Sequence, residues 1–134
     1  MPVFQLQVVA PQCITYEGEV ESFWAPGVDG NFQVLAGHIP FMTVLRVGAI
    51  SFRDADGRRR YAATSGGFVE VLRTGVTVIA ETAEFAEEID VSRAEAARDR
   101  ARARLRRSEP GTDIDRASAA LARALNRLQV AGRT

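Results

Sequence analysis

The spacing of hydrophobic and polar positions changes once along this chain. Phe4, Leu6 and Val8 alternate with Gln5, Gln7 and Val9, the two-residue period of a half-buried strand. Val20 to Trp24 forms a second extended segment. NFQVL, GAISFRD, RRYAATS, GGFVEVL and GVTVIAE then follow at short intervals, separated by the turn signals PGVDG, DADG and RTG. Short strands joined by Gly-rich turns over about 85 residues predict a small antiparallel sandwich or barrel.

After Glu84 the period lengthens. Ser92 and Glu95 have the spacing of a capping box, and Asp90 is a second candidate cap. Ala94, Ala97, Ala101 and Leu105 recur at helical spacing, and SEPG, Ser108 to Gly111, stops the helix. Thr112 or Asp113 can cap a second helix, in which Ile114, Ala117, Leu121, Ala124 and Leu128 step by three and four. Two helices with a short Pro-Gly connection predict an antiparallel hairpin. Its seam is rich in alanine, which buries little area at about 25 cal/mol per Å2. The hairpin is therefore expected to be weakly held and able to open or leave the sandwich.

Composition narrows the function. The 134 residues suit one compact domain or a small domain with an appendage, and 46% hydrophobic content is enough for a core. No apolar run approaches the roughly 18 residues of a membrane span. MPVFQLQVVAPQ lacks a basic region followed by an apolar one, so no secretory signal is expected. Cys13 is the single cysteine, which points to a reducing compartment and to a small buried hydrophobe rather than a nucleophile. His38 is the single histidine, so no multi-histidine metal site is expected. All 17 basic residues are arginine. Residues 1–90 carry 6 Arg against 12 Asp and Glu, whereas 91–134 carry 11 against 5, so a net −6 faces a net +6. Such asymmetry implies modules with different partners, or modules that dock on each other.

The segments PGVDGNFQVLAGHIP, SGGFVEV, VTVIAETAEFAEEIDVSRA and ALARALNRLQV, in this order and spacing, resemble the epsilon subunit of the F-type ATP synthase. Gln33 and Ala36 depart from the family's usual Gly and Pro. The resemblance implies a β plus α fold: an N-terminal antiparallel β-sandwich of about ten strands, then a C-terminal antiparallel two-helix hairpin. The expected domains are 1–87 and 88–134. It implies a non-catalytic subunit of the central rotor stalk, bound to the gamma subunit and the c-subunit ring. The sandwich would couple ring rotation to proton-driven ATP synthesis. The helices would damp ATP hydrolysis, meeting the alpha and beta catalytic subunits when extended. The implied location is peripheral, on the cytoplasmic face of the bacterial cell membrane. No cofactor is required, with ATP as a regulatory ligand.

The resemblance also implies an ATP site at Glu84, Ile89, Asp90, Arg93, Ala94, Arg100, Arg123 and Arg127. Spacing is compatible with it. Arg93 and Arg100 share one helix face, and Arg123 and Arg127 another. In a closed hairpin the two faces could converge, and a triphosphate would relieve their mutual repulsion. Neither a phosphate-cradling GxxxxGK[ST] loop nor a catalytic base is present, so hydrolysis at this site is not expected. The bland alternative is a solvated face pairing with Glu95, Asp99 and Asp115. RDRARARLRR also suits nucleic acid, but the neutral total charge and the lack of a base-reading motif disfavour it. In the loop 26–38, Asp29, Gly30 and Asn31 are expected against the c ring, and His38 near the gamma and ring contacts. Gly27 and Gly30 are expected at positive φ, and Gly66 and Gly67 are expected to serve the backbone. A free-standing nucleotide-sensing module outside a synthase is the alternative function; a small enzyme is disfavoured because no nucleophile-base pair is readable.

Overall fold

In the computed structural model, which describes every residue except Met1, Gln12, Ser108 and Thr134, the N-terminal alternation becomes β1 (Phe4–Ala10). Phe4, Leu6 and Val8 all point into the core. The side chain of Cys13, and Ser108 of the helix stop, lie outside the described residues.

Eight further strands follow: β2 (Cys13–Gly27), β3 (Gly30–Leu35), β4 (Phe41–Leu45), β5 (Gly48–Asp54), β6 (Arg59–Thr64), β7 (Gly67–Leu72), β8 (Gly75–Ala80) and β9 (Ala83–Phe85). Among the described residues, nine strands stand where about ten were expected. The order is β1-β8-β7-β4-β2-β5-β6-β9, with β3 on β2 and a further β1–β2 pairing. The long β2 belongs to both layers. Its first half pairs with β1, its second half with β3 and β5, and Gly27 reaches Leu45 of β4. Val20 and Phe23 are three apart yet both fully buried, because the register shifts between Val20 and Ser22. A bulge of this kind bends a strand and resets its alternation. The two layers enclose one core containing Leu6, Phe23, Ile50, Phe52, Val71 and Val78.

One pairing departs from the antiparallel expectation: β1 and β8 run parallel. β1 lies between β2 and β8, which run opposite to each other, so it can oppose only one of them. Gly30 has φ 133°, as expected, but Gly27 is not at positive φ. It lies at the end of β2, where a Cβ would come within 2.8 Å of the Gly30 carbonyl oxygen. Gly67 combines φ 149° with backbone of Ile79 where a Cβ would sit, so its role is a close approach between β7 and β8.

A 3-10 turn at Ala86–Glu88 leads to α1 (Val91–Arg107) and α2 (Ile114–Ala131). Asp90 caps α1: its Oδ1 accepts from the Arg93 N–H at 3.1 Å. Ser92 falls inside the helix instead of before it. Asp113 caps α2 by accepting from the Arg116 N–H at 3.0 Å. Gly111 turns the connection at φ 90°. Ala94, Ala101, Ala117 and Ala124 are buried, whereas Ile114, the first residue of α2, is 53% exposed and outside the seam. No helix is long and apolar enough to cross a membrane among the described residues.

Candidate functional site

The hairpin rests on the sandwich through α2. Val130 is buried in a small second cluster with Ala63, Ala86 and Ile89. Asn126 Nδ2 donates to the Gly48 carbonyl at 2.8 Å and lies 3.4 Å from that of Thr64. Arg127 Nε pairs with Glu84 Oε1 of β9 at 2.9 Å. Neither Asn126 nor Val130 stands out in the sequence. The sole hint at Asn126 is a poor helix former in the middle of a helix.

Local chemistry sets the approach to α1. Arg60 of β6 stacks its guanidinium 4.0 Å over the Phe85 ring and donates to Glu87 Oε1 at 2.8 Å. This clip fixes the 3-10 turn and thereby places Ile89 and Asp90. The Glu87 carboxyl is held below its ordinary range by a backbone hydrogen bond and then by Arg60.

The expected nucleotide residues fall into two groups. Glu84 and Arg127 are in contact. Arg123 and Arg127 border a cleft of about 120 Å3 with Thr64, Ser65, Thr82 and Asn126. Ile89 and Ala94 are buried and hold the helices, while Asp90 spends one carboxylate oxygen on its cap. Arg93 and Arg100 are exposed on α1 and do not line this cleft. Arg93, Arg100 and Arg123 have no ion pair among the described residues. The cleft is smaller than the roughly 300 Å3 at which small-molecule pockets begin. It has room for a phosphate group rather than a nucleotide.

The loop residues are also separated by role. Val28 and Asp29 form the exposed tip between β2 and β3. Asn31 Oδ1 accepts from Arg46 Nη2. His38 is half-buried: Nδ1 lies 2.7 Å from the Leu35 carbonyl, Nε2 lies 2.5 Å from that of Leu72, and the ring packs edge-on to Phe4 at 5.4 Å. It braces the 35–40 loop against the end of β7.

Comparison with known proteins assigns both halves. Residues 3–86 match the family model for the beta-sandwich domain of the ATP synthase delta/epsilon chain. Residues 87–132 match that for its long alpha-helix domain. The ATP synthase epsilon chain of Desulforapulum autotrophicum is 46% identical over 125 residues, 93% of each chain. That of Moorella thermoacetica is 42% identical over 132 residues, 98% of each. In a cryo-EM structure of the Euglena gracilis mitochondrial ATP synthase, comprising OSCP, F1 and c-ring, one chain superposes with a TM-score of 0.79 at 24% identity. The match covers 91% of the present chain and 78% of that one, a likeness of fold. With sandwich and hairpin each matched, and relatives above 40% identity along nearly the whole length, the chain belongs to the ATP synthase delta/epsilon chain family.

Proposed function

We propose that this chain is the epsilon subunit of a bacterial ATP synthase rotor stalk, working at the cytoplasmic face of the cell membrane. In this reading it catalyses nothing itself. Its sandwich binds gamma and the c ring, with Asp29, Gly30 and Asn31 toward the ring and His38 bracing the loop nearby. Its hairpin damps ATP hydrolysis by leaving the sandwich and extending toward the catalytic subunits.

The observation that carries the regulatory part is the slightness of the dock. Among the described residues of the second cluster, Ile89 and Val130 are the largest fully committed aliphatic side chains. Burying one such side chain is worth about 1.5–3 kcal/mol. A ligand of modest affinity can outweigh a contact of this size.

ATP is the proposed ligand, at Glu84, Ile89, Asp90, Arg93, Ala94, Arg100, Arg123 and Arg127. The closed form brings Arg123 and Arg127 to one cleft beside Glu84, which supports this reading. The small volume adds a requirement: Arg127 must swing from Glu84 toward the phosphates, and Arg93 and Arg100 must close over them from α1. Only a folded hairpin can supply both helices, so ATP would favour the closed, non-inhibitory form.

The test has two arms. Melting of the isolated protein should rise with millimolar ATP, and Arg93→Ala or Arg127→Ala should remove most of that rise. Deleting 91–134 should increase ATP hydrolysis by the assembled catalytic head. Absence of ATP stabilisation sinks the nucleotide part, and unchanged hydrolysis sinks the inhibitory part.

A further inference from the structure

A larger cleft, of about 640 Å3, is also bordered by Asn126 and lies between α2 and the outer face of the sandwich. The register explains its floor. Trp24 of β2 pairs with Ser51 of β5, which pairs with Tyr61 of β6. Their neighbours Phe23, Phe52 and Ala62 are buried in the core, so this row faces outward under α2. The volume falls in the roughly 300–1,000 Å3 range of small-molecule sites.

Its electrostatics are one-sided. Among the described residues, Arg46, Arg59 and Arg133 line the cleft, and no Asp or Glu does. None of the three has an ion pair among the described residues, although Arg60 and Arg127 elsewhere do. Their contacts are neutral: Arg46 with Asn31 Oδ1 and, at 3.5 Å, the Val47 carbonyl, Arg59 with Ser51 Oγ at 3.4 Å, and Arg133 at 5.6 Å over the Tyr61 ring. A guanidinium has five N–H donors. Most of the fifteen or so donors in this cleft therefore remain for a ligand rich in acceptor oxygens. Trp24, 39% exposed, adds an aromatic wall.

We propose that this cleft is a separate binding site for a small polyphosphate anion, either free pyrophosphate or the phosphate chain of a nucleotide. Arg46, Arg59 and Arg133 hold its oxygens. The proposal does not rest on the nucleotide site described above. Arg46 and Arg59 belong to the sandwich and Arg133 follows α2, so the bound anion ties the hairpin to its dock.

Trp24 is the single tryptophan of the chain, so intrinsic fluorescence reports on this cleft directly. Pyrophosphate and ATP are titrated separately into the full-length protein at matched ionic strength. Saturable emission changes are expected, and Arg59→Gln and Arg133→Gln should each weaken binding by about tenfold, the loss of roughly 1.4 kcal/mol. Arg53→Gln, on β5 but outside the cleft, should leave it intact. Equal affinities assign the phosphate chain alone, and tighter ATP binding adds a base against Trp24. No saturable change with either anion overturns the proposal. So does a change abolished by Arg127→Ala but retained in Arg59→Gln and Arg133→Gln, which would place the anion in the helical site and leave that site standing. Binding of a poly-glutamate peptide without binding of either phosphate would also overturn it, assigning the arginines to an acidic protein segment.

Discussion

Arg127 of α2 and Glu84 of β9 form the one ion pair, among the described residues, that joins the hairpin to the sandwich. Both side chains are about a third exposed, at 36% and 35%. Solvent screens such a pair, which is worth about 0–1 kcal/mol. Glu84→Gln should therefore lower the melting temperature only slightly without ligand. It should weaken ATP stabilisation clearly, because Glu84 belongs to the proposed site and is free to accept from the nucleoside once Arg127 has swung to the phosphates. Stronger ATP binding in Glu84→Gln, read by calorimetry, would recast Glu84 as a competitor for Arg127 and remove it from the site.

Asn126 should matter more for docking than any of the arginines. Its amide is part-buried and satisfies the Gly48 carbonyl. Asn126→Leu leaves that oxygen without its partner, at a cost of about 1–3 kcal/mol. The expected result is faster amide exchange along α2 with unchanged protection in β5 and β6. If α2 exchanges as in the wild type, Val130 and its neighbours hold the hairpin unaided.

The sequence showed elements where one physical signal acts alone. β1 alternates cleanly, and the DADG turn is built by Asp54 Oδ1, which accepts from the N–H groups of Asp56 and Arg58. β4 was invisible because Phe41, Met42 and Val44 are all exposed, which breaks the alternation. β9 is too short, at 3 residues, to show a period. The full length of β2 was hidden by its bulge, which puts Val20 and Phe23 on the same side. At the site, Asp90 was legible as a cap from its position before the helix. The meeting of Glu84 with Arg127 was legible only through resemblance, since it depends on how α2 lies on β9. The larger cleft left no sequence signal, because Trp24, Arg46, Arg59 and Arg133 are scattered along the chain.

Gly67 tests the sandwich itself. Its φ of 149° disfavours any L side chain, and backbone of Ile79 occupies the place of a Cβ. Gly67→Ala should destabilise the sandwich by more than about 1 kcal/mol, the scale at which incompatible glycine replacements begin. Gly57→Ala, at φ 82° with nothing near its Cβ, should cost less. Denaturant midpoints of the two variants decide it, and equal losses would mean that the β7–β8 approach adds no constraint.

The Arg60–Glu87 clip predicts a pH dependence. Glu87 lies below its ordinary carboxylate value of 4.5, first through a backbone hydrogen bond and then through Arg60. The folded state thus releases this proton more readily than the unfolded state does. The contribution is fully present above the ordinary value and is lost as pH falls through the lowered one. The side chain is 51% exposed, so the effect should be modest. Comparing wild type with Glu87→Gln cancels the other carboxylates. The wild type should melt higher at pH 7, with the gap closing as pH falls through the lowered Glu87 value. Arg60→Gln should show a smaller closing than the wild type, since it removes the second cause and the Phe85 stack but leaves the backbone hydrogen bond. A wild-type advantage that is unchanged between neutral and acid pH would mean that the clip acts through packing on Phe85 and not through the Glu87 charge.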